Sequence, residues 1–192
     1  MAYFTKREAR EAATSARGYN TAQAVLNAAM ESYKPNENFD IFLSHSSDDS
    51  DLVLGVMLLL QKQGLTVYVD WVVDKKLDRN SVDKETAAVL RERMKSSRSM
   101  MYIATDNSSG SKWMPWELGF FDGLKPGQVA ILPLLDSENQ SFEGQEYLGL
   151  YPVVTKKLEN HVMYHFVEDR GNQWSNLKSF ASGAPSWQRY SR

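Results

Sequence analysis

The chain of 192 residues is 42% hydrophobic and 24% charged, which is typical of a globular protein with one domain and a modest extension. A net charge of −2 offers no basic surface for nucleic acid or an anionic membrane, and the absence of cysteine excludes disulfides, a cysteine nucleophile and thiolate metal sites. No apolar run reaches the roughly 18 residues of a transmembrane helix, and the charged start lacks the apolar segment of a signal peptide. We therefore expect a soluble cytoplasmic protein.

Residues 1–38 are predicted to form a helical extension and a linker. Ala, Arg, Glu and Gln are frequent from Thr5 to Tyr33, with an interruption at Gly18-Tyr19-Asn20, which predicts one broken helix or two short ones. The turn-rich stretch "KPNEN" follows as the linker. The helical part is interpreted either as a packing extension or as a self-assembly element.

An α/β domain is predicted over residues 39–192, with a less regular pattern from about residue 137. Strand and helix alternate from Phe39 to Leu135, and the strands are short and apolar on both faces. This pattern favours a doubly wound, mostly parallel sheet with helices on both faces. A closing helix is predicted over Trp174–Ser182. The five predicted strands are Phe39–His45, Leu65–Trp71, Ser99–Thr105, Gln128–Leu135 and His161–Glu168.

Polar residues follow the first three strands, where a doubly wound sheet binds its ligands. Such ligands lie beyond the carboxyl ends of the strands, at the point where the strand order reverses. For the order 2-1-3-4-5, that crevice lies between the first and third strands. Glu117, in the predicted helix after the third strand, stands near it. The candidates at the strand ends are Ser44, His45, Ser46, Asp70, Trp71 and Asp106.

Three segments, in this order and at this spacing, resemble TIR (Toll/interleukin-1 receptor-like) domains. "FDIFLSHSSDD" resembles the first TIR box, and "GLTVYVDW" resembles the second strand and the approach to the BB loop. The usual Pro-Gly of that loop is missing from "VVDKKLDRNSVD". "SSGSKWMPWELGFF" resembles the segment in which enzymatic TIR domains carry a Trp and, four residues later, a Glu; here these are Trp113 and Glu117. The resemblance covers about Phe39 to Leu135.

This resemblance implies a flavodoxin-like fold and, in the enzymatic branch, cleavage of NAD+ at the nicotinamide–ribose bond with Glu117 as the key residue. It further implies the signal-producing TIR component of an antiviral defence system such as Thoeris. Such a component makes a cyclic ADP-ribose isomer, or a related conjugate, that activates a separate effector. NAD+ is then the substrate, and no cofactor or metal is expected. TIR sites are often completed by the BB loop of a second protomer, so self-association is also expected.

A single carboxylate is sufficient for this chemistry. The nicotinamide of NAD+ is already cationic and leaves as a neutral molecule, so no general acid is needed. Glu117 could hold the ribose hydroxyls and stabilise the oxocarbenium-like charge. Trp113, four residues earlier, lies on the same helix face, and aromatic walls exclude water. Attack by the adenine of the same molecule would give a cyclic product, whereas attack by water would give ADP-ribose.

Several of these residues also have ordinary structural interpretations. Ser44, His45 and Ser46 could hold a diphosphate at the start of the following helix. Capping of that helix by Ser46, Ser47 or Asp48 is compatible with this role. We interpret His45 as structural rather than as a general base.

The remaining candidate residues also have both a functional and a structural interpretation. Asp70 either adds a polar group to the site or caps the BB loop, and Trp71 either stacks on a nicotinamide or adenine ring or packs in the core. Glu117 itself could simply solvate a helix. For the whole chain, the alternatives to the cyclase are a non-catalytic TIR adaptor and an enzyme that only depletes NAD+.

Overall fold

The computed structural model describes residues 2–34, 37–70, 84–138, 140–169 and 172–190. Within these ranges, every helix is too short or too polar to span a bilayer. Short 3-10 turns occur at Ser108–Gly110 and Glu146–Leu150. The helices are α1 (Lys6–Arg17), α2 (Ala22–Glu31), α3 (Ser50–Lys62), α4 (Lys84–Ser96), α5 (Trp113–Leu124) and α6 (Leu177–Ala181). The strands are β1 (Phe4–Thr5), β2 (Phe39–Ser44), β3 (Val67–Val69), β4 (Ser97–Ala104), β5 (Val129–Leu135), β6 (Val153–Glu159), β7 (Val162–Asp169), β8 (Gln173–Asn176) and β9 (Gln188–Arg189).

One sheet runs through the described part of the chain in the order β3-β2-β4-β5-β6-β7-β8-β9, and β1 pairs with β5 off this path. The pairings from β3 to β6 are parallel, and those from β6 to β9 are antiparallel. The mostly parallel α/β fold is therefore confirmed, and the first four predicted strands have the 2-1-3-4 order on which the crevice prediction depended. The crevice that this order predicts lies between the ends of β2 and β4.

The predicted count of five strands was wrong, because the described residues form nine. The fifth position in the parallel row belongs to β6, whose sequence "VVTKKLE" is half polar and exposed at its end. The predicted fifth strand is β7, which pairs antiparallel with β6 through a hairpin turn at Asn160 and His161. Both turn residues have a positive φ, as such a tight turn requires.

The closing helix was predicted too long. Trp174 to Asn176 pair with β7 as part of β8, and helix α6 begins only at Leu177. Asn176 ends the strand and caps the helix, since its side chain accepts a hydrogen bond from the backbone N–H of Lys178.

The two faces of the sheet have different cores. The aliphatic face, covered by α1, α2, α3 and α6, buries mainly Leu, Val, Ile and Ala. The aromatic face, covered by α4 and α5, buries Phe, Tyr, Trp and Met side chains. Because side chains alternate along a strand, neighbouring residues of β2 serve different faces: Leu43 lies in the aliphatic core and Phe42 in the aromatic core.

The N-terminal segment packs against the sheet domain. Strand β1 pairs with β5 in the register Phe4–Leu134 and Thr5–Leu135. Helix α1 begins with a capping box, in which Thr5 and Glu8 satisfy each other's backbone N–H groups. The division into residues 1–38 and 39–192 stays a prediction.

Candidate active site

Glu117 is buried at the carboxyl-end edge of the sheet. Its side chain is 1% exposed, and its Oε2 accepts a hydrogen bond of 2.6 Å from Ser44 Oγ. Ser44 is the last residue of β2, so this bond joins the end of a central strand to α5. Glu117 is therefore not a solvated helix residue, which was the ordinary interpretation of an acid in this helix.

Helix α5 places Glu117 there through its apolar pattern. Met114, Leu118 and Phe121 are buried and face the sheet, and Glu117 lies among them on the same side. Pro115 is in the first turn, where a missing N–H group costs no helix bond. The apolar side of α5 therefore packs on the aromatic face of the sheet, and Glu117 is buried because it lies on that side of the helix.

Aromatic side chains line the N-terminal turns of α5. Trp113 is 5% exposed and meets Trp116 edge to face, with ring centroids 5.4 Å apart. Trp116 stacks on Phe120 at 5.7 Å, and the Arg91 guanidinium lies 5.2 Å above the Trp116 ring. The Trp113 Nε1–H is buried without a hydrogen-bond acceptor among the described residues. A buried, unsatisfied donor is costly, so this N–H is suited to a bound polar group.

A buried phenol lies below the crevice on the same face. Tyr68 is fully buried, and burial raises the pKa of its phenol well above 10.0, with a further contribution from the charge of Asp70. Tyr68 therefore stays neutral. Asp70 follows β3 directly and is 6% exposed, so this candidate lies at the predicted edge of the sheet and within electrostatic range of Tyr68.

The residues after β2 form a buried turn. Ser44, His45 and Ser46 are all less than 5% exposed. His45 Nδ1 lies 3.2 Å from the Ser46 carbonyl oxygen, and Ser46 Oγ accepts a hydrogen bond from the Asp48 N–H. Helix α3 starts at Ser50 with Asp49 at its N-cap, so capping by Ser46, Ser47 or Asp48 was the wrong assignment.

Asp49 was not singled out by the sequence, although it is an organising residue of the crevice. Its Oδ2 accepts a 2.6 Å hydrogen bond from Thr105 Oγ1, and its Oδ1 accepts a 2.7 Å bond from Asn107 Nδ2. These bonds tie the start of α3 to the loop after β4. The available signal was an acid at a helix start, which predicts capping, but the Asp49 side chain makes no cap hydrogen bond.

Asp106 lies at the same edge but contacts a different element. Its Oδ2 accepts a 2.8 Å hydrogen bond from Lys6 Nζ, which lowers the pKa of the Asp106 carboxyl. Asp106 and Lys6 line a cleft of about 500 Å³ at the ends of β4 and β5, together with Asp136 and Phe142. The structure thus brings Ser44 and Glu117 together and places Asp106 on the side toward β5.

Trp71 and the predicted BB loop, residues 72–83, lie outside the described residues. Their roles in stacking and self-association stay predictions.

No protein-family model matches the chain. It is similar to a "Probable 3' cyclic ADP-D-ribose synthase ThsB'" of Bacillus cereus (strain MSX-D12), with 52% identity over 136 residues, which cover 70% of each chain. It is also similar to a "Putative cyclic ADP-D-ribose synthase TIR2" of Cytobacillus dafuensis, with 34% identity over 83 residues. That alignment covers 43% of this chain and 22% of the relative.

Proposed function

Because this chain belongs to the family of TIR-type cyclic ADP-ribose synthases, we propose that it cleaves NAD+ and closes the remaining ADP-ribose into a cyclic signal of Thoeris antiviral defence. The resemblance of the three sequence boxes to TIR domains is confirmed by this membership. The adaptor alternative accounts less well for a carboxylate buried at the crevice, since a module that only assembles partners has no need of one.

The observation that carries the proposal is the buried hydrogen bond between Ser44 and Glu117. It fixes Oε2 of the carboxylate at the end of β2, where a doubly wound sheet binds its ligands. A carboxylate held in an apolar surrounding interacts more strongly with developing positive charge than one in water. Glu117 is therefore suited to stabilise the ribose as nicotinamide departs, and we assign it as the catalytic residue.

The reaction needs no acid. The bond between the ribose C1″ and the nicotinamide nitrogen breaks, and its electron pair neutralises the pyridinium ring. A nucleophile on the adenosine half of the same molecule then bonds to C1″, and the proton that this half loses passes to solvent water. The aromatic wall of Trp113 and Trp116 limits the access of water, which favours ring closure over hydrolysis.

The other sequence candidates are proposed as substrate contacts. The buried turn Ser44–Ser46 lies at the head of α3, where we propose that the diphosphate binds. We propose that the unsatisfied Trp113 N–H donates to the substrate and that Asp70, which follows β3, contacts it. Trp71, the next residue in the sequence, is also proposed as a substrate contact. Asp106 is proposed to contact it from the side toward β5.

The signal is proposed to reach a separate effector protein by diffusion, because a cyclic nucleotide is a soluble product. We also propose that the chain self-associates through TIR surfaces that include the BB loop. Activity per molecule that rises with protein concentration, together with a larger species in light scattering, would support this. A monomer with concentration-independent activity would contradict it.

The proposal is tested by incubating the purified protein with NAD+ and following nicotinamide and nucleotide products by chromatography and mass spectrometry. Glu117→Gln and Glu117→Ala are compared with wild type, and Glu92→Gln, an exposed glutamate of α4, is the matched control. We expect rapid product formation from wild type and the control, and a strongly reduced rate from the Glu117 variants. A folded Glu117 variant with full activity would remove the site assignment, and intact NAD+ at high protein concentration, with and without a crowding agent, would contradict the enzyme.

The product distinguishes the remaining alternatives. A mass equal to ADP-ribose less water indicates cyclisation, whereas ADP-ribose indicates a hydrolase that depletes NAD+. Closure through an adenine nitrogen and closure through a ribose hydroxyl give the same mass. Retention time against standards and NMR of the linked carbon therefore identify the nucleophile.

A further inference from the structure

The loop Thr105–Lys112 leads directly into α5, the helix that carries Glu117. It connects β4 to α5, and Trp113 and Glu117 lie in the first two turns of that helix. On one side, Asp49 at the start of α3 accepts hydrogen bonds from Thr105 and Asn107. A displacement of this loop would therefore displace Glu117 relative to Ser44.

On its other side the loop is held by Lys6, the first residue of α1. Lys6 Nζ lies 2.8 Å from Asp106 Oδ2 and 3.3 Å from Asp136 Oδ1. The Lys6 side chain is only 14% exposed, whereas those of Asp106 and Asp136 are 89% and 74% exposed. One largely enclosed cation thus joins the loops that follow β4 and β5. The hydrogen bond with Asp106 raises the pKa of Lys6, which keeps the cation charged.

The backbone on either side of Lys6 is fixed to the sheet. Thr5 pairs with Leu135 of β5, and Glu8, its partner in the capping box, accepts a hydrogen bond from Lys156 of β6. Lys156 is 2% exposed and also bonds Glu138 at 3.0 Å. Lys6 is therefore held in place by contacts to two neighbouring strands.

Helix α1 also lies directly on α3. Ala9 and Ala13 are fully buried at this crossing, and a Cβ atom built on Gly55 would lie 1.8 Å from the Ala9 carbonyl oxygen. No residue larger than glycine fits at position 55 while α1 keeps this position. The two helices thus reach the loop together, α1 through Lys6 and α3 through Asp49.

We propose that Lys6 is a positioning residue for the NAD+ reaction, and that the N-terminal segment Ala2–Arg17 acts through it to hold the loop Thr105–Lys112 and hence Glu117. This inference rests on the proposed function for its kinetic consequence, although the holding of the loop can be measured without turnover. It gives the N-terminal segment a role in the active site of its own chain.

The first experiment compares Lys6→Met, which keeps an unbranched side chain of similar length as far as Cε and removes the charged amine, with Lys6→Arg. Arg7→Met is the matched control, because Arg7 is 78% exposed and is paired only with Glu11 among the described residues. We expect Lys6→Met to lower kcat by about tenfold with a smaller change in KM, since a small misplacement of a catalytic group is costly. Lys6→Arg should recover most of the activity, and Arg7→Met should leave it unchanged.

Hydrogen exchange of the loop provides a readout that does not depend on catalysis. In the Glu117→Gln background, amides of Thr105–Glu117 should exchange faster with Lys6→Met than with Arg7→Met. Equal exchange in the two variants would overturn the inference, and so would faster exchange with unchanged kcat. If wild type proves inactive on NAD+, the proposed function fails, and the exchange data alone decide whether Lys6 holds the loop.

A second experiment perturbs the Lys6–Asp106 ion pair indirectly, by changing the packing of α1 on α3. Gly55→Ala should displace α1 and reproduce the kinetic effect of Lys6→Met, and the double variant should lose no more activity than the stronger single one. Gly123→Ala in α5 is the control, because its new methyl group meets no atom within 4 Å. Additive losses in the double variant would show that α1 does not act through Lys6 and would overturn the proposal.

Discussion

Among the hydroxyl–carboxylate hydrogen bonds of the described residues, two lie in contrasting regions of the molecule. At the crevice, Ser44 donates to the buried Glu117, and the two residues are 73 positions apart. In the antiparallel extension β6–β9, Thr155 donates to the half-buried Glu168, 13 positions later in the same hairpin. The first bond joins a strand end to a helix at the ligand edge, whereas the second joins adjacent strands. The same chemical pair therefore lies at the proposed active site in one place and supports sheet pairing in the other.

The largest contrast is expected when each carboxylate is made neutral. Glu117→Gln should lower kcat by roughly 10³-fold, or about 4 kcal/mol, because the group proposed to stabilise the transition-state charge is lost. Glu168→Gln should leave kcat within about twofold of wild type, since sheet pairing tolerates an amide acceptor. Nicotinamide release measures both. Equal losses in the two variants would remove the distinction between the regions.

The second contrast concerns stability. Phe166 of β7 meets Trp174 of β8 edge to face at 5.2 Å, in a region that contributes no proposed substrate contact. Phe166→Ala should lower the free energy of unfolding by about 2 kcal/mol through lost aromatic packing, while kcat per folded molecule stays near wild type. Denaturant titration and NAD+ turnover provide the two values. A large loss of kcat in fully folded protein would show that the antiparallel strands β6–β9 contribute to the active site.

Removing the hydroxyl groups of Ser44 and Thr155, which donate to the two carboxylates, should give smaller effects than neutralising the carboxylates themselves. Ser44→Ala should lower kcat by about tenfold, because one oxygen of Glu117 loses the donor that orients it. Thr155→Val should lower the free energy of unfolding by about 1 kcal/mol without changing kcat. If Ser44→Ala lowers stability but not kcat, the Ser44 hydrogen bond is structural, like that of Thr155.

The smallest effect is a pH dependence at the boundary between the N-terminal segment and the extension. His165 stacks on Phe4 at 5.3 Å, and burial, with help from the charge of Lys156, lowers its pKa below 6.5, although Glu8 opposes the shift. The unfolded chain then binds the proton more readily, so stability falls as the pH decreases below about 6.5. Thermal melts from pH 7.5 to 5.5 should show a smaller loss for His165→Gln. An identical loss would exclude His165 as its source.

The local sequence pattern was sufficient to predict the parallel part of the sheet. Short apolar strands alternating with amphipathic helices predicted a mostly parallel sheet, and the structure has the 2-1-3-4 order on which the crevice prediction depended. The spacing of Trp113 and Glu117 predicted that both lie on one side of α5. The half-polar β6 was missed because exposure of its end weakens the strand pattern. The start of β8 was mistaken for helix because no local signal separates Trp174 from the helix that follows.

The sequence by itself determined the fold class and the edge proposed for ligand binding, because these depend on the periodicity and order of elements. The candidate carboxylate was identified by the resemblance of its segment to enzymatic TIR domains. Only the tertiary structure decided that Glu117 is buried against Ser44 and that the N-terminal segment pairs with the sheet. It also decided that Asp49 and Lys6 form hydrogen bonds with the loop before α5. The residues in these contacts are far apart in the chain; Lys6 and Asp106, for example, are 100 positions apart. Contacts at such separations leave no periodic signal, since they are fixed only when helices and strands pack together.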